Sequence, residues 1–169
     1  MRYFTKIKTG SKDTENRENY AEYPFYVRSQ TIERISTYSF DGEAMLTAGD
    51  GLGVGKVFHY VNGKFDYHQR VYKVIDFTGI EGKLLFYYMK LNFHKEVMRI
   101  SAKSTVDSLR LPMLQNFPVC IPPKQEQTKI IKYIETETTK INTKKSITLL
   151  KEYKTALISE VVTGKIKVN

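Results

Sequence analysis

The sequence predicts an α+β fold, a sheet-containing domain followed by one long C-terminal helix. Three observations carry this. Runs of Tyr, Phe and Val alternate with turn-forming Gly, Asp, Asn and Ser as far as about Cys120. Pro118-Val119-Cys120-Ile121-Pro122-Pro123 then holds the chain extended, because proline lacks an amide proton and disfavours helix in the residue before it. Beyond it no Pro or Gly occurs until Gly164.

Taken in order, short β-type runs lie at Tyr23–Val27, Ala44–Leu46, Lys56–Val61 and Arg70–Ile75. Val61-Asn62-Gly63-Lys64 places Asn-Gly between two such runs and predicts a hairpin turn. From Glu81 to Met98 the spacing is helical, with Leu84, Leu85, Tyr88, Leu91 and Lys95 on one side. Pro123 suits the first turn of the last helix, where Glu126 also meets the positive end of the dipole. Running from Lys124 to about Val162, that helix would be roughly 58 Å long. Ile131, Ile134, Thr138 and Ile141 form a narrow stripe, continued after a phase shift by Ile147, Leu150, Leu157 and Val161. A helix of this length needs a second helix to cover its stripe, and an intermolecular partner is expected. The domain plan is 1–121 for the sheet domain, 122–164 for the helix and 165–169 for a tail.

Composition narrows the function classes. The chain has 169 residues, 41% of them hydrophobic, enough for a core. The longest apolar run, Leu84–Met89, falls far short of the roughly 20 residues that span a bilayer. The start, Met1-Arg2-Tyr3-Phe4-Thr5-Lys6, lacks the apolar stretch of a signal peptide, so a cytoplasmic location without membrane contact is expected. Cys120 is the single cysteine, which excludes an internal disulfide and a cysteine-based zinc site.

A net charge of +9 favours a polyanionic partner, nucleic acid above all. All seven arginines and ten of the twelve tyrosines precede Lys124, whereas ten lysines and no arginine follow from there. Arginine forks suit base edges and phosphates, and lysines act as point charges. The two parts therefore have different jobs. Candidate DNA-reading side chains lie in four predicted loops: Lys12, Asn16 and Arg17; Arg28, Ser29 and Gln30; His68, Gln69 and Arg70; and Lys103, Ser104 and Thr105. Lys56 joins them at the end of a glycine-rich loop. Arg can fork onto guanine and Asn or Gln onto adenine, although most such contacts go to the DNA backbone.

Several motifs invite chemistry and fail on spacing. Gly49-Asp50-Gly51-Leu52-Gly53-Val54-Gly55-Lys56 resembles a phosphate loop, but Asp50 stands where its first glycine is required and Val57 where Ser or Thr is. A mobile glycine-rich loop whose amides approach a DNA phosphate is the plainer reading. Asp76 or Asp66 with Glu81-Gly82-Lys83 resembles the magnesium site of a nuclease, yet Glu81 opens a helix where that pattern wants a strand. His59, His68 and His94 lack metal-ligand spacing. Asn116-Phe117-Pro118-Val119 is a poor likeness of an adenine methyltransferase loop. No catalytic residue and no metal ligand is assigned.

Two words at the junction and tail are specific. Ile121-Pro122-Pro123-Lys124-Gln125-Glu126-Gln127-Thr128-Lys129-Ile130 resembles the P-P-x-x-E-Q-x-x-I opening of the long helix in type I restriction-modification specificity subunits. Leu149-Leu150-Lys151-Glu152-Tyr153-Lys154-Thr155-Ala156-Leu157-Ile158, with Val161-Val162-Thr163-Gly164-Lys165-Ile166, resembles that helix's ending. Upstream, Ile7-Lys8-Thr9-Gly10 and Gly63-Lys64-Phe65 with Gln69-Arg70-Val71-Tyr72 resemble a target recognition domain.

The resemblance implies a non-catalytic subunit that binds double-stranded DNA and directs adenine methylation and restriction by its partners. Those are methyltransferase subunits and a translocating restriction subunit, and S-adenosylmethionine, ATP and magnesium are expected on them. The usual subunit has two recognition domains and two such helices. One of each here implies a half-subunit, or half of a longer chain, that pairs through its helix with a second copy or another specificity half. Two other classes stay open: a small magnesium-dependent nuclease using Asp76, Glu81 and Lys83, and a coiled-coil interaction protein that does not bind DNA.

Overall fold

The computed structural model describes residues 1–101 and 108–162. Six strands form its sheet: β1 (Lys6–Thr9), β2 (Tyr23–Tyr26), β3 (Ile32–Ile35), β4 (Phe40–Ala48), β5 (Phe58–Tyr67) and β6 (Val71–Ile75). Their spatial order is β1-β6-β4-β5-β2-β3, antiparallel throughout except where β2 runs parallel to β5. Strands β2, β4, β5 and β6 grow from the predicted runs. Strands β1 and β3 were not expected, since each is only four residues long and carries charges such as Lys6, Lys8 and Arg34. Both lie at sheet edges, where charge discourages pairing with other chains.

Asn62-Gly63 does not turn the chain. Strand β5 runs straight through it, and Gly63 pairs with Gly42 of β4. The two glycines have φ of 138° and 140°, so the paired strands pass this level with a backbone that other residues rarely adopt. Tyr26, Ala44, Leu46, Phe65, Tyr67, Val71 and Ile75 of the sheet form one core cluster, with Phe40 packed against it. The ammonium of Lys73, on β6, lies 3.7 Å from the Phe40 ring centre and 5.0 Å from that of Tyr67. Burial lowers the pKa of this lysine. A parallel bridge between Lys12 and His68 joins the segment after β1 to the end of β5. Gly10 permits this approach, because a Cβ there would lie 2.1 Å from the Tyr67 carbonyl oxygen.

Helix α1 (Gly82–Ser101) packs on β4 and β5. Its buried row is Leu85, Met89, Phe93 and Val97, one residue every four. The expected face was rotated from this row: Leu84 is buried but Leu91 is 70% exposed, lying about 240° round the helix from Leu85. A short helix, α2 (Leu111–Gln115), begins with Pro112 in its first turn and buries Leu114.

Helix α3 (Lys124–Val162) follows the extended prolines over 39 residues, as the breaker-free run predicts. The chain divides into two units, Met1–Gln127 and Thr128 onward, so the first turn of α3 belongs with the sheet domain. Gln127 is 1% exposed there. Its amide nitrogen donates to Gly79 O at 2.8 Å and Pro122 O at 2.9 Å, and its Oε1 accepts the Glu81 amide at 2.7 Å. In the second unit Ile131 and Ile134 are half-buried, while Thr138, Ile141, Ile147 and Leu150 are exposed. Leu157 and Val161 lie on the described backbone, but their side chains are outside the described residues. Thr136, Thr139, Thr143, Thr148 and Thr155 each donate a hydroxyl to the carbonyl four residues back, which accommodates threonine in a helix.

Candidate nucleic-acid interface

Three of the predicted loops and the glycine-rich loop meet in one linked array. At its centre, the carboxylate of Asp50 lies 3.1 Å from the Arg28 guanidinium and 3.8 Å from that of Arg70. Both arginines remain about half exposed or more, at 48% and 67%, so each keeps donors turned to solvent. On one side, Gln30 donates to the Lys56 carbonyl at 3.3 Å, and the Ser29 hydroxyl to Thr31 O. On the other, the Gln69 amide donates to Lys12 O at 2.8 Å and its side chain bonds the Asp13 carboxylate. Arg28, Ser29, Gln30, Lys56, Gln69 and Arg70 are all exposed, and Lys12 is half-buried.

Asp13 organises the first loop. It caps a 3-10 turn at Thr14–Asn16 by accepting the Thr14 amide at 2.6 Å, and the Asn16 Oδ1 accepts the Asp13 amide in return. That bond, with help from His68 and Gln69, holds the Asp13 carboxyl below the usual range. Asn16 is itself exposed. Arg17 leans toward Glu33 at 3.7 Å with 54% of its side chain exposed.

His68 does not share this exposure. It is 3% exposed, its Nδ1 accepts the Arg70 amide at 2.9 Å, and its Nε2 lies 3.5 Å from Asp13. With Nδ1 accepting, the proton sits on Nε2 and points to the carboxylate. Both ring nitrogens are thus used within the chain, and His68 fixes the turn that carries Gln69 and Arg70. A second buried imidazole supports the neighbouring loop: His59 Nε2 lies 2.9 Å from the Ser29 carbonyl, and burial lowers the His59 pKa. Lys103, Ser104 and Thr105 lie outside the described residues.

The glycine-rich loop is held at both ends by backbone contacts. A 3-10 turn at Gly51–Gly53 sits so close to the preceding loop that a Cβ on Gly53 would lie 2.5 Å from the Arg28 carbonyl oxygen. Gly49 donates to Arg70 O at 2.7 Å and accepts the Leu109 amide at 2.7 Å. Gly49 and Gly53 serve close approach, and Gly51 and Gly55 supply a positive φ.

Two residues of the nuclease alternative meet partners in the fold. Asp76 pairs with Lys6 at 2.8 Å, and the Glu81 carbonyl accepts the first hydrogen bond of α1 while its amide is held by Gln127. Among the described residues no group of three or more His, Cys, Asp or Glu side chains is placed to hold a metal ion. No described helix is long and apolar enough to cross a membrane.

Comparison with known proteins places this architecture. The type I restriction modification DNA specificity domain matches residues 4–152, nearly the whole chain. The chain belongs to this family. Its sequence is 28% identical over 166 residues to the type I restriction enzyme EcoDI specificity subunit of Escherichia coli, covering 95% of this chain and 36% of that one. Among solved structures, a chain from a type I R-M system studied for complex assembly and conformational transition superposes with a TM-score of 0.69 at 16% identity, covering 96% of this chain and 43% of that one. The S subunit from M. genitalium gives 0.65 at 15% identity over 83% and 38% of the two chains. The HsdS subunit from Thermoanaerobacter tengcongensis gives 0.61 at 15% identity over 96% and 44%. The chain spans about two fifths of the length of these relatives, one specificity domain with its following helix.

Sequence reasoning found the cationic and amide side chains of this specificity domain but not the carboxylates that arrange them. Asp13 had a readable signal, since Asp-x-x-Asn is a capping pattern. Asp50 had none, because its two arginines lie 22 residues before it and 20 after it in the chain.

Proposed function

We propose that the chain reads one half of a bipartite double-stranded DNA target for a type I restriction-modification complex. The linked array of Lys12, Arg28, Gln30, Lys56, Gln69 and Arg70 supports this reading, because it gathers guanidinium forks and amides on one surface of a net basic chain. Arg28 and Arg70 are oriented by a shared carboxylate but not consumed by it, which suits them to fork onto guanine or phosphate. Lys12 and Lys56 supply sequence-independent attraction to the DNA backbone.

The chain itself contributes no chemistry in this proposal. Adenine methylation and restriction belong to methyltransferase and translocase subunits, which carry S-adenosylmethionine, ATP and magnesium, and the complex works in the cytoplasm. The stripe from half-buried Ile131 through exposed Ile141, Ile147 and Leu150 pairs with the same stripe of a second copy or of another specificity half. Two identical copies would make the two half-sites inverted repeats.

The deciding experiment is a genome-wide map of methyladenine in the source strain with and without this gene. Loss of one bipartite motif on deletion is the expected result and names the target. An unchanged map, with no salt-dependent binding of duplex DNA by the purified chain, overturns the reading. Magnesium-dependent cutting abolished by Glu81→Ala would favour the nuclease instead.

A further inference from the structure

Leu52, at the tip of the glycine-rich loop, is 97% exposed. Single exposed apolar residues are ordinary on protein surfaces. This one differs in how it is presented and in what surrounds it.

Both feet of its loop are clamped. On the N-terminal side Gly49 exchanges backbone hydrogen bonds with Arg70 and Leu109, each at 2.7 Å. On the C-terminal side Gly53 rests against the Arg28 carbonyl, Val57 N bonds Gly53 O at 2.9 Å, and Val54 and Val57 are buried. Gly51, with φ of 71°, sets the turn that lifts Leu52 outward. The leucine is therefore held in place without being packed, and it contributes nothing to the core.

Its surroundings are polar. Asp50, two residues before it, ties the loop to Arg28 and Arg70, and Lys56, four residues after it, is bonded to Gln30. Among guanidinium and amide donors a lone branched apolar side chain recognises what hydrogen bonds cannot. In the major groove of DNA the one apolar feature on a base edge is the 5-methyl group of thymine. We propose that Leu52 is a specificity-determining residue that packs on the 5-methyl group of a thymine within the target half-site. The inference rests on the DNA-reading function proposed above and assigns one position of the target to one side chain.

The test begins by enriching, from a random duplex library, the site bound by the full chain. Each thymine of that site is then replaced in turn by deoxyuridine, which removes only the methyl group. The expected result is that one replacement weakens binding about fourfold, the worth of one buried methyl group. Leu52→Ala should bind the thymine and uracil versions of that position alike, with an unfolding midpoint unchanged from wild type, since the side chain touches nothing in the fold. Equal binding of all substituted sites by the wild-type chain, or thymine preference retained in Leu52→Ala, overturns the inference and leaves the DNA-reading function standing. Failure to enrich any site overturns both.

Discussion

The Oε1 of Gln127 accepts the backbone amide of Glu81 at 2.7 Å, joining the first turn of α3 to the residue that opens α1 across 46 positions of sequence. The same side chain holds the carbonyls of Gly79 and Pro122. All three partners are backbone groups near the base of the sheet domain, and a buried amide that satisfies them is hard to replace. Gln127→Ala should lower the stability of the domain by about 3 kcal/mol, the cost of leaving buried polar groups unpaired. Urea unfolding of the variant checks this. Glu81→Ala keeps its own amide and should unfold near the wild-type midpoint.

His68 has a fold role that separates it from its neighbours. His68→Ala removes the acceptor of the Arg70 amide and should cost about 2 kcal/mol. His68→Asn, whose carbonyl can replace Nδ1, should recover part of that loss. Gln69→Ala, at an exposed position, should change DNA binding more than thermal stability.

Asp50 restrains two arginines, so removing its charge should act on DNA affinity in the opposite sense to removing a lysine. With Asp50→Asn, the slope of log affinity against log salt should steepen by about 1. With Lys56→Ala it should become shallower by about 1. Salt titration of binding to non-cognate duplex DNA measures both.

Acid should weaken the domain through His59. Burial lowers the pKa of His59 in the folded chain, so the unfolded chain takes up the proton first. The stabilisation from keeping His59 neutral is complete above its unfolded value of about 6.5 and is lost as pH falls from there toward the lower folded value. Unfolding midpoints should stay level between roughly pH 8 and 7 and fall below roughly pH 6.5, with a flatter profile in His59→Gln. The Asp13 carboxyl, held low by the Thr14 amide, adds a loss of the same sign further into the acid range.

Gly63 isolates a purely conformational cost. A Cβ there meets nothing within 4 Å, yet φ is 138°. Gly63→Ala should destabilise the domain by about 1–3 kcal/mol without any steric clash. Chemical denaturation of Gly63→Ala beside Asn62→Ala, an exposed neighbour, reads the difference.

These details mark what the sequence could and could not disclose. Helix α3 was legible end to end because two prolines precede it and no breaker interrupts it. The central strands were legible from their aromatic and β-branched runs. The edge strands β1 and β3 were not, since four residues with alternating charge look like loop until a neighbour bonds them. Asn62-Gly63 misled because a dipeptide suited to a hairpin also fits within an unbroken strand when another positive-φ glycine, Gly42, lies opposite. In α1 the true face, Leu85-Met89-Phe93-Val97, was hidden by Leu84, Tyr88 and Leu91, an apolar row at similar spacing beside it. At the candidate interface, residue type identified the solvent-facing cations and amides. It could not tell buried His68 from exposed Gln69, because that depends on Asp13, which comes beside them only in the fold.

The way the loops are held also bears on how the protein can change. Their skeleton depends on bonds between main-chain atoms, such as Gly49 to Arg70 and Gln69 to Lys12, and on glycines at Gly10, Gly49 and Gly53 where chains nearly touch. Side chains such as Lys56 and Leu52 project from that skeleton into solvent. They are interchangeable type on a fixed press. Under the proposed DNA-reading function, exchanging such residues one at a time would shift the recognition sequence while the skeleton holds, whereas a side chain at Gly53 would meet the Arg28 carbonyl and disturb the whole array.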